Sequence, residues 1–324
     1  MSAASEQTLQ ERRRQGFIAL LLVQVFFGLF PVFIKLSDEM HQGFTPRAMA
    51  SWRMVTAAVV LGGFVFWREG RAALPAKRDL PRFFGCTMFG IVLNQVLALE
   101  GMVRTTVVDA GLLMTLIPVF TYAMAVMVRQ EILKTRRAVG IAIALGGAVL
   151  LASPAGGQPG AAESRVFGNL LIMSNCLSYA GYLVIARPLL ERYSALCVVA
   201  WLFLLSVLTV PFLMIGQPIM PQENLPRVWA SMAYILVFPT VLAYLLNTYA
   251  LARVSASTTA VFIYLQPFFA SIGAWVVFRE RLSPLALVAA SLLFAGIWLV
   301  TTSRSVVRSE ATAPPGSATS TGPR

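Results

Sequence analysis

The sequence predicts an all-α integral membrane protein: ten transmembrane helices in two inverted five-helix repeats, with both termini cytoplasmic. Three observations predict it. First, 57% of the 324 residues are hydrophobic and only 12% are charged, about half the charge that a soluble domain uses to cover its surface. Second, ten apolar stretches are each long enough for a helix that needs ~20 residues to cross the hydrocarbon core. Third, the chain matches itself at one fixed offset.

The stretches are 17–36, 46–67, 83–102, 106–128, 137–153, 167–187, 194–214, 229–251, 257–278 and 284–302. Residues 1–16 form an N-terminal tail, 154–166 a periplasmic linker, and 303–324 a Ser-, Thr-, Ala-, Gly- and Pro-rich tail with the composition of a disordered segment. The first stretch has no small-residue cleavage site and runs at once into further spans, unlike a removable signal. Basic residues set the orientation. Of 26 Lys and Arg, 18 fall on the side of both termini, 7 on the other, and Arg53 lies inside a span, which places both termini of this multi-pass protein in the cytoplasm.

At an offset of 149, Arg104 falls on Arg253, Pro118 on Pro267, Glu131 on Glu280, Gly147 on Gly296 and Trp52 on Trp201. Apolar coincidences are cheap in this composition, but shared Arg, Pro, Glu and Gly at one unbroken offset are not. Repeat 1 covers 17–153 and repeat 2 covers 167–302. Five spans is an odd number, so the second repeat enters the bilayer from the opposite side. That arrangement is the build of alternating-access carriers, with substrate near the midplane between the repeats.

The stretch LALEGMVRTTVVDAGLLMTLIPVFTYAMAVMVRQEIL with GIAIALGGAVLL, and its copy NTYALARVSASTTAVFIYLQPFFASIGAWVVFRERLSPLALVAASLLFAGIWLV, resemble the EamA family of the drug/metabolite transporter superfamily. Both copies run through a polar turn, a small-residue helix with a central Pro, a Glu-X-Leu exit and a Gly-bearing helix. The first exit reads Glu131-Ile132-Leu133, a departure from the commoner Glu280-Arg281-Leu282. The resemblance implies an inner-membrane carrier, often an exporter of amino acids or other small metabolites.

Residue types exclude several chemistries. The single His41 cannot supply a His-based metal site or triad inside the membrane. Cys86, Cys176 and Cys197 lie in apolar runs without CxxC spacing and read as packing residues. No metal or cofactor is expected. The charge of +12 has no water-exposed domain on which to form a nucleic-acid surface, so the expected partners are a small-molecule substrate and the lipid bilayer. A membrane enzyme acting on a lipid-linked substrate would need a paired-carboxylate or Ser/His site, which one His and scattered acids do not offer. A non-transporting scaffold has no use for two-sided symmetry.

Pro118 and Pro267 sit mid-span, where each removes a backbone hydrogen bond and bends its helix; they are read as cavity-shaping. Glu131 and Glu280 lie at span ends, where the nearby Arg129, Arg279 and Arg281 can pair with them and nearby helix ends can donate to them; they are read as structural anchors, with proton coupling the alternative. Lys35, Arg53, Glu100 and Asp109 all fall at similar outer depth, Arg53 six residues inside Arg47, or about 9 Å. Ionisable groups at such depth face a cavity or each other. Lys35, Glu100 and Asp109 are read as a gate or charge cluster. Arg53 is read either as the partner of Glu100 or Asp109, or as the ligand of a substrate carboxylate. Asn94, Gln95, Asn175, Tyr179, Tyr182, Tyr244, Asn247 and Gln266 present amide and phenol groups on helical faces that suit a cavity wall. With no acid at mid-membrane depth, a proton or ion gradient as the driving force stays open, as does the oligomeric state.

Overall fold

The computed structural model describes residues 3–38, 42–152, 161–254, 262–280 and 282–302. Among them every regular element is helical. Among the described residues eight helices are long and apolar enough to cross a membrane. In chain order the elements are α1 (Ala3–Asp38), α2 (Pro46–Glu69), α3 (Lys77–Arg104), α4 (Val107–Met127), α5 (Thr135–Ala152), α6 (Ala161–Leu190), α7 (Ala195–Leu213), α8 (Pro226–Leu251), α9 (Ile263–Phe278) and α10 (Pro284–Thr301). The shorter apolar α9 and the 18-residue α5 complete the set. His41, the linker residues 154–160, Thr258, Thr259, Arg281 and the tail 303–324 lie outside the described residues. Helix reaches further than hydropathy alone suggests: α1 begins at Ala3, inside the expected N-terminal tail, and α6 begins at Ala161, inside the expected linker. Polar residues extend a helix readily once its apolar part has nucleated it.

Helix starts follow local chemistry. Thr45 and Ser194, which are 149 residues apart, cap α2 and α7 by accepting from the N–H groups of Ala48 (3.2 Å) and Cys197 (3.1 Å). Thr106 and Ser283 do the same for α4 and α10. In lipid these otherwise unpaired donors have few other partners.

Among the described residues five interruptions shape the bundle, one of them a 3₁₀ turn at Val207–Thr209 ahead of Pro211 in α7. In α4 and α9 a 3₁₀ turn, Met114–Leu116 and Ile263–Leu265, directly precedes the turn carrying Pro118 and Pro267. The ring removes a donor and crowds the preceding turn, so the chain tightens there. In α3 and α8 the interruption is a π turn, at Met88–Val92 and Phe238–Leu242. Pro239 accounts for the second: without its N–H, the carbonyl of Ile235 loses its helical donor. The Thr240 hydroxyl takes that place, donating to Ile235 O at 2.7 Å.

Glycine sets one interface. A Cβ on Gly296 of α10 would lie 2.5 Å from both the Ala144 nitrogen and the Gly140 oxygen of α5; one on Gly147 would lie 2.9 Å from the Ala289 oxygen. Gly140 and Ala289 are themselves 149 apart, as are Gly147 and Gly296, so the same small-residue contact is made twice. Small residues let backbones touch where no hydrophobic effect drives helices together. The three cysteines are free and buried.

Candidate functional site

The two π turns and α6 build the interior site. In α3, Leu93 N–H bonds back to Met88 O, which leaves Phe89 O without its helical donor, and the Ser178 hydroxyl of α6 donates to it at 2.7 Å. Gly90, in the same turn, leaves room for the ring of Tyr182, whose atoms would be 2.7 Å from a Cβ there. One turn on, the Asn175 amide donates to Asn94 O at 2.7 Å. Tyr179 and Tyr182 rings follow at 5.3 Å from each other. Thus π turns, which free carbonyls and widen a helix, fasten α3 to α6.

Arg53 reaches this region from α2. It is 5% exposed. Its Nε donates to Thr240 Oγ1 at 2.8 Å, and its guanidinium lies 4.4 Å from the centroid of Phe30 on α1. Thr240 can accept because its own proton is committed to Ile235 O. The proline-induced turn thereby prepares the acceptor for Arg53. Neither Nη group has an acceptor among the described residues, yet neither is sealed off. Tyr244 of α8 is within electrostatic reach of Arg53, Tyr179 and Tyr182, and packs edge-on against Phe203 of α7 at 5.6 Å. The hydroxyls of Tyr179, Tyr182 and Tyr244 likewise have no hydrogen-bond partner among the described residues.

Pairing of Arg53 with Glu100 or Asp109 is not found. Each of those acids has another partner. Glu100 is held by Arg104 and, at 3.7 Å, by Arg47. Asp109, 1% exposed, takes Arg165 at 2.6 Å and Asn169 at 3.3 Å. Thr105 bridges Asp109 and Asn169. Arg165 lies in the segment expected as linker; its inclusion in α6 brings it onto Asp109. Lys35 pairs with Glu280 at 3.5 Å, and the second oxygen of Glu280 accepts from Val107 N–H at the start of α4. Glu280 thus accepts from a helix end, as expected, and its expected neighbour Arg281 lies outside the described residues, whereas the arginine at Glu131 is a different one. Glu131 binds Arg137 at 2.5 Å, while Arg129 and Arg279 adopt positive φ at the ends of α4 and α9 and remain exposed. Lys35, Glu100 and Asp109 therefore sit in a layer of ion pairs at one end of the bundle, apart from Arg53.

Arg165→Ala is expected to lower the unfolding temperature in detergent, since it strips a nearly unexposed carboxylate of its counter-charge at a cost of about 3 kcal/mol. Adding Asp109→Asn to that variant should recover most of the loss. An unchanged melting point for Arg165→Ala would show that the pair carries no stability.

Of the other expected wall residues, Gln95 is buried and its Oε1 has no partner among the described residues, and Asn247 is half-buried. Gln266 lies elsewhere: its amide donates to Gln24 Oε1 at 2.8 Å, across α1 and α9. Pro267 packs under Gly111, where a Cβ would meet Pro267 Cα at 3.5 Å. Sequence reasoning missed Gln24, Phe30, Thr240, Asn169 and Arg165. Gln24 and Thr240 carried a signal as polar residues in apolar runs; Phe30 carried none, because one aromatic in such a run resembles any other.

The family model for EamA-like transporters matches residues 14–153 and again 166–302. The chain belongs to the EamA-like transporter family. Among its relatives, an "Uncharacterized transporter" of Archaeoglobus fulgidus is 25% identical over 87% of this chain and 95% of its own. A protein of Streptantibioticus cattleyicolor named "Probable terminal-alkyne amino-acid exporter" is 30% identical over 74% of this chain and 79% of its own. A solved crystal structure superposes with a TM-score of 0.58 over 90% of this chain and 97% of that one, at 17% identity, which is a likeness of fold. Within the EamA family frame the protein is a multi-pass membrane transporter, and the Arg53 region lies where the two matched segments meet.

Proposed function

We propose that this EamA transporter is an alternating-access carrier with ten crossings in two inverted repeats and both termini cytoplasmic. It moves small polar or amphipathic metabolites that bear a carboxylate, amino acids and their relatives among them, outward across the inner membrane. The observation that carries the reading is Arg53: a buried guanidinium between the two halves whose outer nitrogens have no acceptor among the described residues. Leaving such donors without a partner is costly, and a carboxylate fits the guanidinium fork. The substrate would lie among Arg53, Tyr179, Tyr182 and Tyr244, with Asn94, Asn175, Gln95 and Asn247 around it. Gln266 would belong to a neighbouring α1–α9 contact. Lys35, Glu100 and Asp109 would close one end, and Pro118 and Pro267 would set the bends on which the halves move.

Paired contacts at the 149-residue offset support the inverted arrangement. Trp52 Nε1 donates to Ile219 O at 3.1 Å and Trp201 Nε1 to Ala73 O at 2.6 Å, each on the loop of the other half. Arg104 and Arg253 each donate to a carbonyl four residues back, Glu100 O and Tyr249 O. The exporter name of the Streptantibioticus relative supports the outward direction and the amino-acid class.

The test is counterflow in proteoliposomes with a panel of labelled carboxylates, amino acids and amines. Saturable exchange of carboxylate-bearing compounds is expected; none across the panel would defeat the reading. The topology has its own check. A cysteine at Gln158, in a chain freed of Cys86, Cys176 and Cys197, should react with an impermeant maleimide added to intact cells. Labelling only after lysis would reverse the orientation.

A further inference from the structure

We propose that the Arg53 site selects organic monoanions with an apolar or aromatic body over zwitterions and cations, so that each turnover moves net negative charge. The inference rests on the carrier reading and narrows its substrate class to carboxylates that carry no ammonium, placing the zwitterionic amino acids below them.

The charge inventory around the site carries it. Arg53 contributes a fixed positive charge, and its protein contacts, Thr240 and Phe30, are both neutral. The acids of the ion-pair layer at the end of the bundle have cations of their own: Glu100 has Arg47 and Arg104, Asp109 has Arg165, and Glu280 has Lys35. Among the described residues the groups at the guanidinium are the Thr240 hydroxyl and the Phe30 ring, with the Tyr244 phenol nearby. A carboxylate there gains two charge-assisted hydrogen bonds and neutralises a buried charge.

An α-amino acid brings its ammonium to the same place and needs a strong acceptor for it. Among the described residues the candidates are the amide oxygens of Asn94 and Asn247, on half-buried side chains, and those of Gln95 and Asn175. The last two are enclosed, without accessible surface and without a partner, and the first two are neutral, weaker acceptors for an ammonium than a carboxylate. Tyrosine hydroxyls and ring faces remain, which are weaker compensation for a desolvated cation beside a guanidinium. Like charges about 6 Å apart at an effective dielectric near 20 repel by roughly a hundredfold in affinity. A cation without a carboxylate has that repulsion and nothing to offset it. The rings of Tyr179, Tyr182, Tyr244 and Phe203 favour an aromatic or apolar body.

A transported monoanion also has a source of outward drive. An inside-negative potential favours its exit by about 50-fold in concentration ratio per 100 mV.

Three probes share one body and differ in charge: 3-phenylpropionate, phenylalanine and 2-phenylethylamine. Binding to the purified full-length protein should fall at least tenfold at each step in that order, and Arg53→Gln should collapse the order. In proteoliposomes, uptake of the permanently ionised 2-phenylethanesulfonate should rise when a potassium diffusion potential makes the lumen positive. Phenylalanine binding as tight as 3-phenylpropionate, no binding of any probe, or sulfonate flux indifferent to the potential would each overturn the inference. Potential-independent flux of phenylalanine would do so while leaving the carrier reading intact. Ordered binding with no flux of any compound would keep the anion selectivity of the site and defeat the carrier reading instead.

Discussion

Replacing Gly296 by alanine should lower the stability of the folded bundle by about 3 kcal/mol, the upper part of the range for overpacking, and leucine at that position should abolish assembly. The added Cβ meets two backbone atoms of α5 at 2.5 Å, the Ala144 nitrogen and the Gly140 oxygen. Backbone cannot swing aside as a side-chain tip can, so α5 and α10 must separate along their contact. The related contact at Gly147, where a Cβ would lie 2.9 Å from Ala289 O, is less tight and should cost less. Gly146, its neighbour in sequence, provides the control. A Cβ there meets nothing within 4 Å, and alanine should raise stability by about 0.5–1 kcal/mol through helix propensity. Thermal unfolding in detergent, followed by size-exclusion recovery after heating, measures all three. Equal behaviour of Gly146→Ala and Gly296→Ala would mean that the α5–α10 contact is looser than its geometry states.

Arg53→Gln should produce the largest functional loss without a loss of fold. The guanidinium has one hydrogen bond, to Thr240, and a ring face, Phe30. It holds no acid, so its removal strands no counter-charge. The empty variant should melt at or above the wild-type temperature, because a desolvated charge has been deleted. Substrate affinity should fall by about 2–4 kcal/mol, roughly 30- to 1,000-fold, the worth of two hydrogen bonds between charged groups. Arg53→Lys keeps the charge and loses the fork, and should lie between. The sign of the melting shift decides the role: a large drop for Arg53→Gln would make it a structural residue, and unchanged affinity would remove it from the site.

Arg53 also shows how far a sequence can be read. Its depth, and the cost of a charge at that depth, were legible from six residues of helix beyond Arg47. Its partner was not. Glu100 and Asp109 stood at the right height, and height is a one-dimensional quantity that periodicity supplies. Which of several groups at one height face each other depends on the rotation and packing of separate helices. Arg165 and Asn169, 56 and 60 residues downstream of Asp109, hold it, and Arg165 is in place because α6 starts earlier than hydropathy indicates. The polar face of α6, with Asn175, Tyr179 and Tyr182, was legible because i, i+4 and i+7 share one side of a helix. Gln266 met the same criterion and faces Gln24, since its helix turns that side toward α1.

The sequence by itself determined the membrane environment, the helical class, the 149-residue repetition and the identity of the buried charge. These depend on composition and on spacing along one chain, and the bilayer forces every apolar run of sufficient length into hydrogen-bonded helix. Tertiary structure alone decided the contacts between helices. The π turns at Met88–Val92 and Phe238–Leu242 hand a freed carbonyl to a hydroxyl, and that fixes Thr240 to receive Arg53. Each such bond is worth about 1 kcal/mol, too little to leave a pattern in the sequence, yet together they determine which side chains share the interior.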